Sequence, residues 1–245
     1  MITGAGFTVA ATETEPRIAT VGEADAAVRC ASVLKPLYFW AASSLPEYAG
    51  DQKAWARLAE PAVTVSANEP TESMWDRCGP DPLLDGIARL TGVRWPSDPT
   101  APRSFGRVLV TAGGVARAYA ALAVAARADD AIAGRLLGWM RRVPERQTFG
   151  ARTAAAERLA VTPRDVAVKA GWFIDADETA LRTHAVTLTV APDGAVAGTA
   201  VLTALPVSEA VRIGHAATYV EGDEVLPIHW EHAAETIRRT TAQLL

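Results

Sequence analysis

Cysteine, basic excess and long apolar runs are all scarce in this chain, and each scarcity removes a class of protein. Two cysteines in 245 residues, Cys30 and Cys78, cannot build a disulfide framework. Both are expected to be free thiols in a reducing compartment, Cys30 as a small buried packing residue. No segment approaches the roughly 20 consecutive apolar residues that span a bilayer, so no membrane partner is expected. With 24 Lys and Arg against 28 Asp and Glu, the net charge of −4 leaves no electrostatic footprint for nucleic acid. The cysteines and four histidines lack metal-ligand spacing, so neither a metal nor another cofactor is expected. The opening Met1–Gly6 has neither the basic nor the apolar region of a secretory signal. As written, the chain reads as cytoplasmic, and as exported only if a leader has been removed.

What is present is apolar content of 49%, enough for one large domain or two intimately packed lobes. Within it, Cys30-Ala31-Ser32-Val33-Leu34-Lys35-Pro36 places a serine and a lysine three residues apart. A helix beginning at Ser32 would set hydroxyl and amine side by side. An unprotonated lysine there can take the proton of an attacking serine. The alternative is an ordinary N-terminal serine with a solvated lysine. Pro36 is tolerated only in a first turn, which supports a helix start near Ser32 and a run to about Ala42. The apolar flank Leu37-Tyr38-Phe39-Trp40 predicts that Lys35 is buried.

Gly6–Thr12 and Arg17–Gly22 read as strands of a hairpin. A short helix is expected around Gln52–Leu58, and two more over Pro70–Arg77 and Asp81–Leu90. Between them, Ser66-Ala67-Asn68 either caps the next helix or presents a hydroxyl and an amide to a cleft. Val93–Arg107 is a long irregular loop, a kind of segment that tends to be functional. Thr111 caps a helix over Val115–Ala126, another spans Ala131–Arg142, and Gly150 breaks a mixed stretch. In Asp165–Phe173 a strand is interrupted by Lys169, either solvated on an edge or turned into a site. Ala170-Gly171 after it are small enough to admit a ligand close to the backbone. Thr183–Val190 and Gly194–Ala204 form a hairpin through Pro192-Asp193-Gly194. Their alternation predicts an antiparallel sheet with one helix-covered face. Trp230–Leu245 closes the chain as an amphipathic helix.

Ser32-x-x-Lys35, Ser66-Ala67-Asn68 and Lys169-Ala170-Gly171 stand in the order of the S-x-x-K, S-D-N and K-T-G set. The chain resembles the class A β-lactamase and penicillin-binding-protein superfamily over nearly its whole length. The resemblance implies an α+β fold, β-lactamase/transpeptidase-like, with an antiparallel sheet flanked by helices and a helical lobe, and the active site between them. It implies a single domain of two lobes, the sheet lobe about 1–28 and 163–245 and the helical lobe about 29–162. It also implies roles: Ser32 the acylated nucleophile, Lys35 its proton acceptor, Ser66 a proton relay to the leaving group, and Asn68 a partner for a substrate amide. Lys169 would hold positive charge for a substrate carboxylate and repel charge on Lys35. Gly171 would line the substrate, and the N–H groups of Ser32 and Trp172 would form an oxyanion hole.

Ala67 and Ala170 depart from the pattern, and the interval from Ser32 to Ser66 is short for a class A enzyme. The loop Val93–Arg107 contains no glutamate to activate a deacylating water, and Asp98 is its only acid. No helix precedes the first strand, which leaves open a homo-oligomer that covers the exposed face. The expected activity is therefore a serine hydrolase or acyltransferase acting on a small-molecule amide, ester or β-lactam. The alternative is a binding or sensor module in which deacylation is slow or lost. Arg182 and His184 begin the strand beside Lys169 and either reach the cleft or end an exposed strand. A Ser-His-Asp arrangement using His184, His215, His229 or His232 lacks its G-x-S-x-G elbow. The acidic pairs Asp175/Asp177 and Glu221/Asp223 read as solvated turns.

Overall fold

The computed structural model describes residues 1–23, 25–95, 104–174, 180–206 and 230–245. Five antiparallel strands form the sheet in the order β2-β1-β7-β6-β5. These are β1 Ile2–Val9, β2 Arg17–Gly22, β5 Ala167–Ile174, β6 Ala180–Val190 and β7 Val196–Pro206. A second, two-stranded ladder joins β3 Val28–Arg29 to β4 Leu109–Val110. The helices are α1 Lys35–Ala42, α2 Gln52–Thr64, α3 Glu69–Cys78, α4 Pro80–Thr91, α5 Ala112–Arg127, α6 Ala131–Arg141, α7 Ala151–Leu159 and α8 Trp230–Leu244.

Alternation along the strands divides their side chains between two cores. Val186, Ala200 and Leu202 join Phe7, α1 and α5 in the larger one. Their neighbours Ala185 and Val201 join Ala170, Phe149, Ala233 and Ile237 in the smaller. Helices therefore cover both faces of the sheet, not one, and the burial of β6 from Leu181 to Thr189 follows from this. Strand β1 starts at Ile2, before the expected Gly6, because its glycines sit beneath the end of α8. A Cβ on Gly6 would collide with the carbonyl of Leu244. The chain turns at Ala10–Glu13, where an N–H···O bond from Glu13 to Ala10 closes the turn.

Arg127, in the last turn of α5, fastens the sheet's far end. Its Nη1 donates to the carbonyls of Ala10 (2.9 Å) and Gly194 (3.0 Å), and its Nη2 donates to that of Glu13. One guanidinium thereby joins the tips of both hairpins. Thr111 caps α5 as expected, accepting a bond from the N–H of Gly114 at 3.1 Å. Gly150, in the left-handed region at φ 71°, makes the break before α7. Among the described residues, no helix is long and apolar enough to cross a membrane.

Candidate active site

The first regular residue of α1 is Lys35, three later than expected. Ser32 instead lies in two overlapping tight turns, Val33 N–H to the carbonyl of Cys30 (3.2 Å) and Lys35 N–H to that of Ser32 (3.3 Å). Pro36 still falls in the helix's first turn, where its missing N–H costs nothing. Before Ser32, Ala31 is held at φ 50°, a left-handed conformation that strains any residue with a Cβ. Such strain persists only where the surroundings over-determine it. Here Cys30 N–H donates to the carbonyl of Val108 and Ala31 N–H to that of Gly106, both at 2.9 Å. The Tyr119 hydroxyl donates to the carbonyl of Val33. Cys30 is buried beside the Tyr38 hydroxyl, and burial pushes its thiol up to about 12, so it is no nucleophile.

Lys35 is fully buried. Its Nζ donates to the carbonyls of Ser66 (2.5 Å) and Ala67 (2.9 Å) and to Asn68 Oδ1 (2.8 Å). Three donated bonds match the three donors of a lysine ammonium. The ring of Phe105, a residue the motifs do not single out, lies 5.0 Å beneath the nitrogen. Ser66 sits at φ 63°, again left-handed, after α2 ends. Gln147 donates to the carbonyl of Val65 beside it (3.3 Å), a second contact that no motif announces. Asn68 occupies the N-cap position of α3 but makes no capping bond, its side chain being turned to Lys35.

Lys169 is 1% exposed and not solvated on its edge. Its Nζ donates to Ser66 Oγ at 2.8 Å and to the carbonyl of Ala170 at 2.9 Å. The two lysines therefore meet at Ser66, one at its carbonyl and one at its hydroxyl. Ser32 is half-buried close by, and its Oγ hydrogen-bonds none of the described residues. Gly171, the last residue of the third motif, has a role other than admitting a ligand. A Cβ built on it would lie 2.5 Å from the backbone nitrogen of Ser32. The Ser32 turn seats directly on strand β5, the end strand of the sheet, and glycine is what lets it.

Strand register puts Gly171 opposite His184 and Phe173 opposite Arg182. Cross-strand partners share a face, so Arg182 and His184 belong to the side that carries Lys169. The Arg182 guanidinium stacks over the Phe173 ring at 5.7 Å. His184 is fully buried, with its Nε2 2.9 Å from the carbonyl of Arg29 and its Nδ1 accepting from Thr203 N–H at 3.1 Å. It is neither an exposed strand end nor an available base, which removes it from a Ser-His-Asp arrangement. The ring of Trp172 faces away from Ser32 and packs edge-on against Phe149 at 5.5 Å. Asp98, His215, His229, Asp175/Asp177 and Glu221/Asp223 lie outside the described residues, and His232 is exposed on α8. Among the described residues, no cluster of His, Cys, Asp or Glu could hold a metal.

Burial lowers the pKa of His184 from the ordinary 6.5 to about 4; the bond to Arg29 opposes the fall, and the charge of Arg182 adds to it. The unfolded chain takes up this proton near pH 6.5, the folded protein only near pH 4. The associated stability is complete above 6.5 and is lost as pH falls from there through 4. Thermal unfolding across that window should show a steeper acid loss for wild type than for His184→Gln.

No protein family matches the chain by sequence, and no curated protein does. Solved structures do match. The TLA-3 extended-spectrum β-lactamase aligns with a TM-score of 0.60 at 11% identity, over 98% of this chain and 93% of that one. A β-lactamase from Streptosporangium roseum gives 0.59 at 16%, over 99% and 93%. One from Chitinophaga pinensis DSM 2588 gives 0.56 at 16%, over 94% and 93%. The chain has the class A β-lactamase fold: an antiparallel sheet flanked by helices, with a helical lobe. At these identities the likeness is one of architecture.

Proposed function

We propose that the chain is a serine acyl-enzyme hydrolase or acyltransferase that attacks an amide, ester or β-lactam carbonyl through Ser32. The observation that carries the reading is the buried meeting of Lys35, Lys169 and Asn68 around Ser66, next to a strained serine turn. Two ammonium groups on one serine each disfavour the other's charge, which favours loss of one proton from the pair. Lys35, once deprotonated, accepts the Ser32 proton as Oγ bonds to the carbonyl carbon. Ser66 delivers a proton to the departing amine or alcohol as the carbon–heteroatom bond breaks, and Lys169 reprotonates Ser66. The N–H groups of Ser32 and Trp172 stabilise the oxyanion. Asn68 orients the substrate through its amide, and the positive charge of Lys169 draws its carboxylate. Water, an amine or an alcohol then takes the acyl group, its proton passing through Ser66 back to Lys169 while Lys35 returns a proton to the departing Ser32 Oγ. No step requires a cofactor.

A second reading, a binding or sensor module with slow or lost deacylation, is favoured by one observation. Lys35 donates to Ser66, Ala67 and Asn68, and Ser32 Oγ is not a hydrogen-bond partner of it.

The deciding experiment incubates the protein separately with benzylpenicillin, a 4-nitrophenyl ester and a fluorophosphonate, followed by intact mass and peptide mapping. An adduct on the Ser32 peptide with continuing substrate loss supports the hydrolase. The same adduct persisting without turnover supports the sensor. Modification of Ser66 instead, or no modification by any of the three, would sink the assignment of Ser32 as nucleophile.

A further inference from the structure

The Ser32 turn touches the sheet at two neighbouring points. Gly171 meets the nitrogen of Ser32, and His184, its cross-strand partner, meets the carbonyl of Arg29 three residues earlier. The separation of these points is set by the ladder between β5 and β6, so the turn is held at both ends by one rigid element. We propose that His184 is a positioning residue for acylation, pinning the Arg29 carbonyl so that Ser32 seats at a fixed depth on β5. The inference rests on the reading of Ser32 as nucleophile.

The demand on this side chain explains its identity. At its near end it must accept a bond from Thr203 N–H, and at its far end donate to the Arg29 carbonyl. A neutral imidazole with its proton on Nε2 does both across one rigid ring. Asparagine has an acceptor at the near end but is too short for the far one. Glutamine reaches the far end with an amide donor and leaves the near one to chance. The near end is itself anchored, since Thr203 Oγ1 donates to the carbonyl of Thr183 (2.7 Å) and accepts from its N–H (3.2 Å). His184 is thus the link from the β6–β7 pair to the turn. It touches no substrate; its effect passes through Ser32.

The test compares wild type, His184→Asn and His184→Gln for the rate of Ser32 modification by a fluorophosphonate and for amide hydrogen exchange. In His184→Asn, acylation should slow by roughly tenfold, since sub-ångström misplacement of a reacting atom is enough for that. The probe's reversible binding constant should stay within about twofold, because a displaced turn alters the reacting geometry and not the pocket. The amides of Cys30 and Ala31, bonded to Val108 and Gly106, should exchange faster. His184→Gln should recover most of the rate and protection. A folded His184→Asn with unchanged acylation and exchange would overturn the proposal, as would His184→Gln proving no better than Asn. If Asn does not fold, Gln must match wild type at Cys30 and Ala31, and faster exchange there counts against the proposal. If wild-type Ser32 takes no probe, the nucleophile assignment fails by itself. Exchange at Cys30 and Ala31 then decides whether His184 pins the turn.

Discussion

Lys35→Met is expected to fold about as well as the parent protein and to lose acylation of Ser32 by about 10³-fold. The two halves of this expectation have different causes. Burying an ammonium costs several kcal/mol, offset here by bonds to Ser66, Ala67 and Asn68 and by the Phe105 ring. Methionine has nearly the same length and flexibility, so it fills the space without a cavity. It takes one donor from each of three acceptors, of which the Ala67 carbonyl keeps its bond from Thr71 Oγ1, at about 1–3 kcal/mol for each left without a partner and out of reach of water, but it also abolishes the cost of the buried charge. Thermal stability should therefore move little. Reactivity has no such compensation, because a serine hydroxyl without a base is a poor nucleophile, and general-base assistance contributes about 10² to 10⁴. Lys35→Arg sharpens the point, since a guanidinium keeps the charge but cannot take up a proton. The measurement is the fluorophosphonate acylation rate beside a thermal unfolding curve. A Lys35→Met protein acylated within tenfold of wild type would make Lys35 a structural strut and move the base to Lys169.

How much of this site can be read in the residues alone depends on how far each residue's partners lie along the chain. The hairpin at Pro192-Asp193-Gly194 and the cap at Thr111 are local events, written in local chemistry, and the structure has both. The three motif segments also fall in sequence order on a turn, a loop and a strand. The start of α1 was not legible, because the Ser32 turn requires Ala31 at positive φ, which alanine disfavours. Bonds donated by Cys30 and Ala31 to the carbonyls of Val108 and Gly106, more than 70 residues away, impose it. Lys169 and Asn68 each had two local readings, a solvated lysine and a helix cap. Tertiary contact with Ser66 and Lys35 settled where their side chains point. His184 stands out in the sequence for its place beside Lys169, yet its partners Arg29 and Thr203 come from two other elements. No periodicity or spacing connects them. Nor does any pattern mark Phe105 or Gln147, whose contributions exist only once the helical lobe has closed on the strand.

Gly171→Ala carries the second large effect, expected as a loss of about 10²-fold in acylation with a modest fall in stability. The added Cβ would stand 2.5 Å from the nitrogen of Ser32 and 3.0 Å from both Ala31 Cβ and Val33 N. Two of those three atoms are backbone, so no rotamer change relieves the contact. Either β5 or the turn must move, and β5 is the less free of the two, since it is paired with β6 at every position from Ala167 to Ile174. Displacement of Ser32 by a large fraction of an ångström shifts both the nucleophile and one of the two N–H groups assigned to the oxyanion. Misplacement on the scale of an ångström costs about 10² in rate. Substrate affinity should change less, because Asn68 and Lys169 are not displaced. The signature is therefore a fall in the maximal acylation rate at nearly constant half-saturation, measured with a 4-nitrophenyl ester under single-turnover conditions. Wild-type acylation in Gly171→Ala would mean that the seat of Ser32 on β5 does not govern its reactivity, and the positioning assigned to His184 would fall with it.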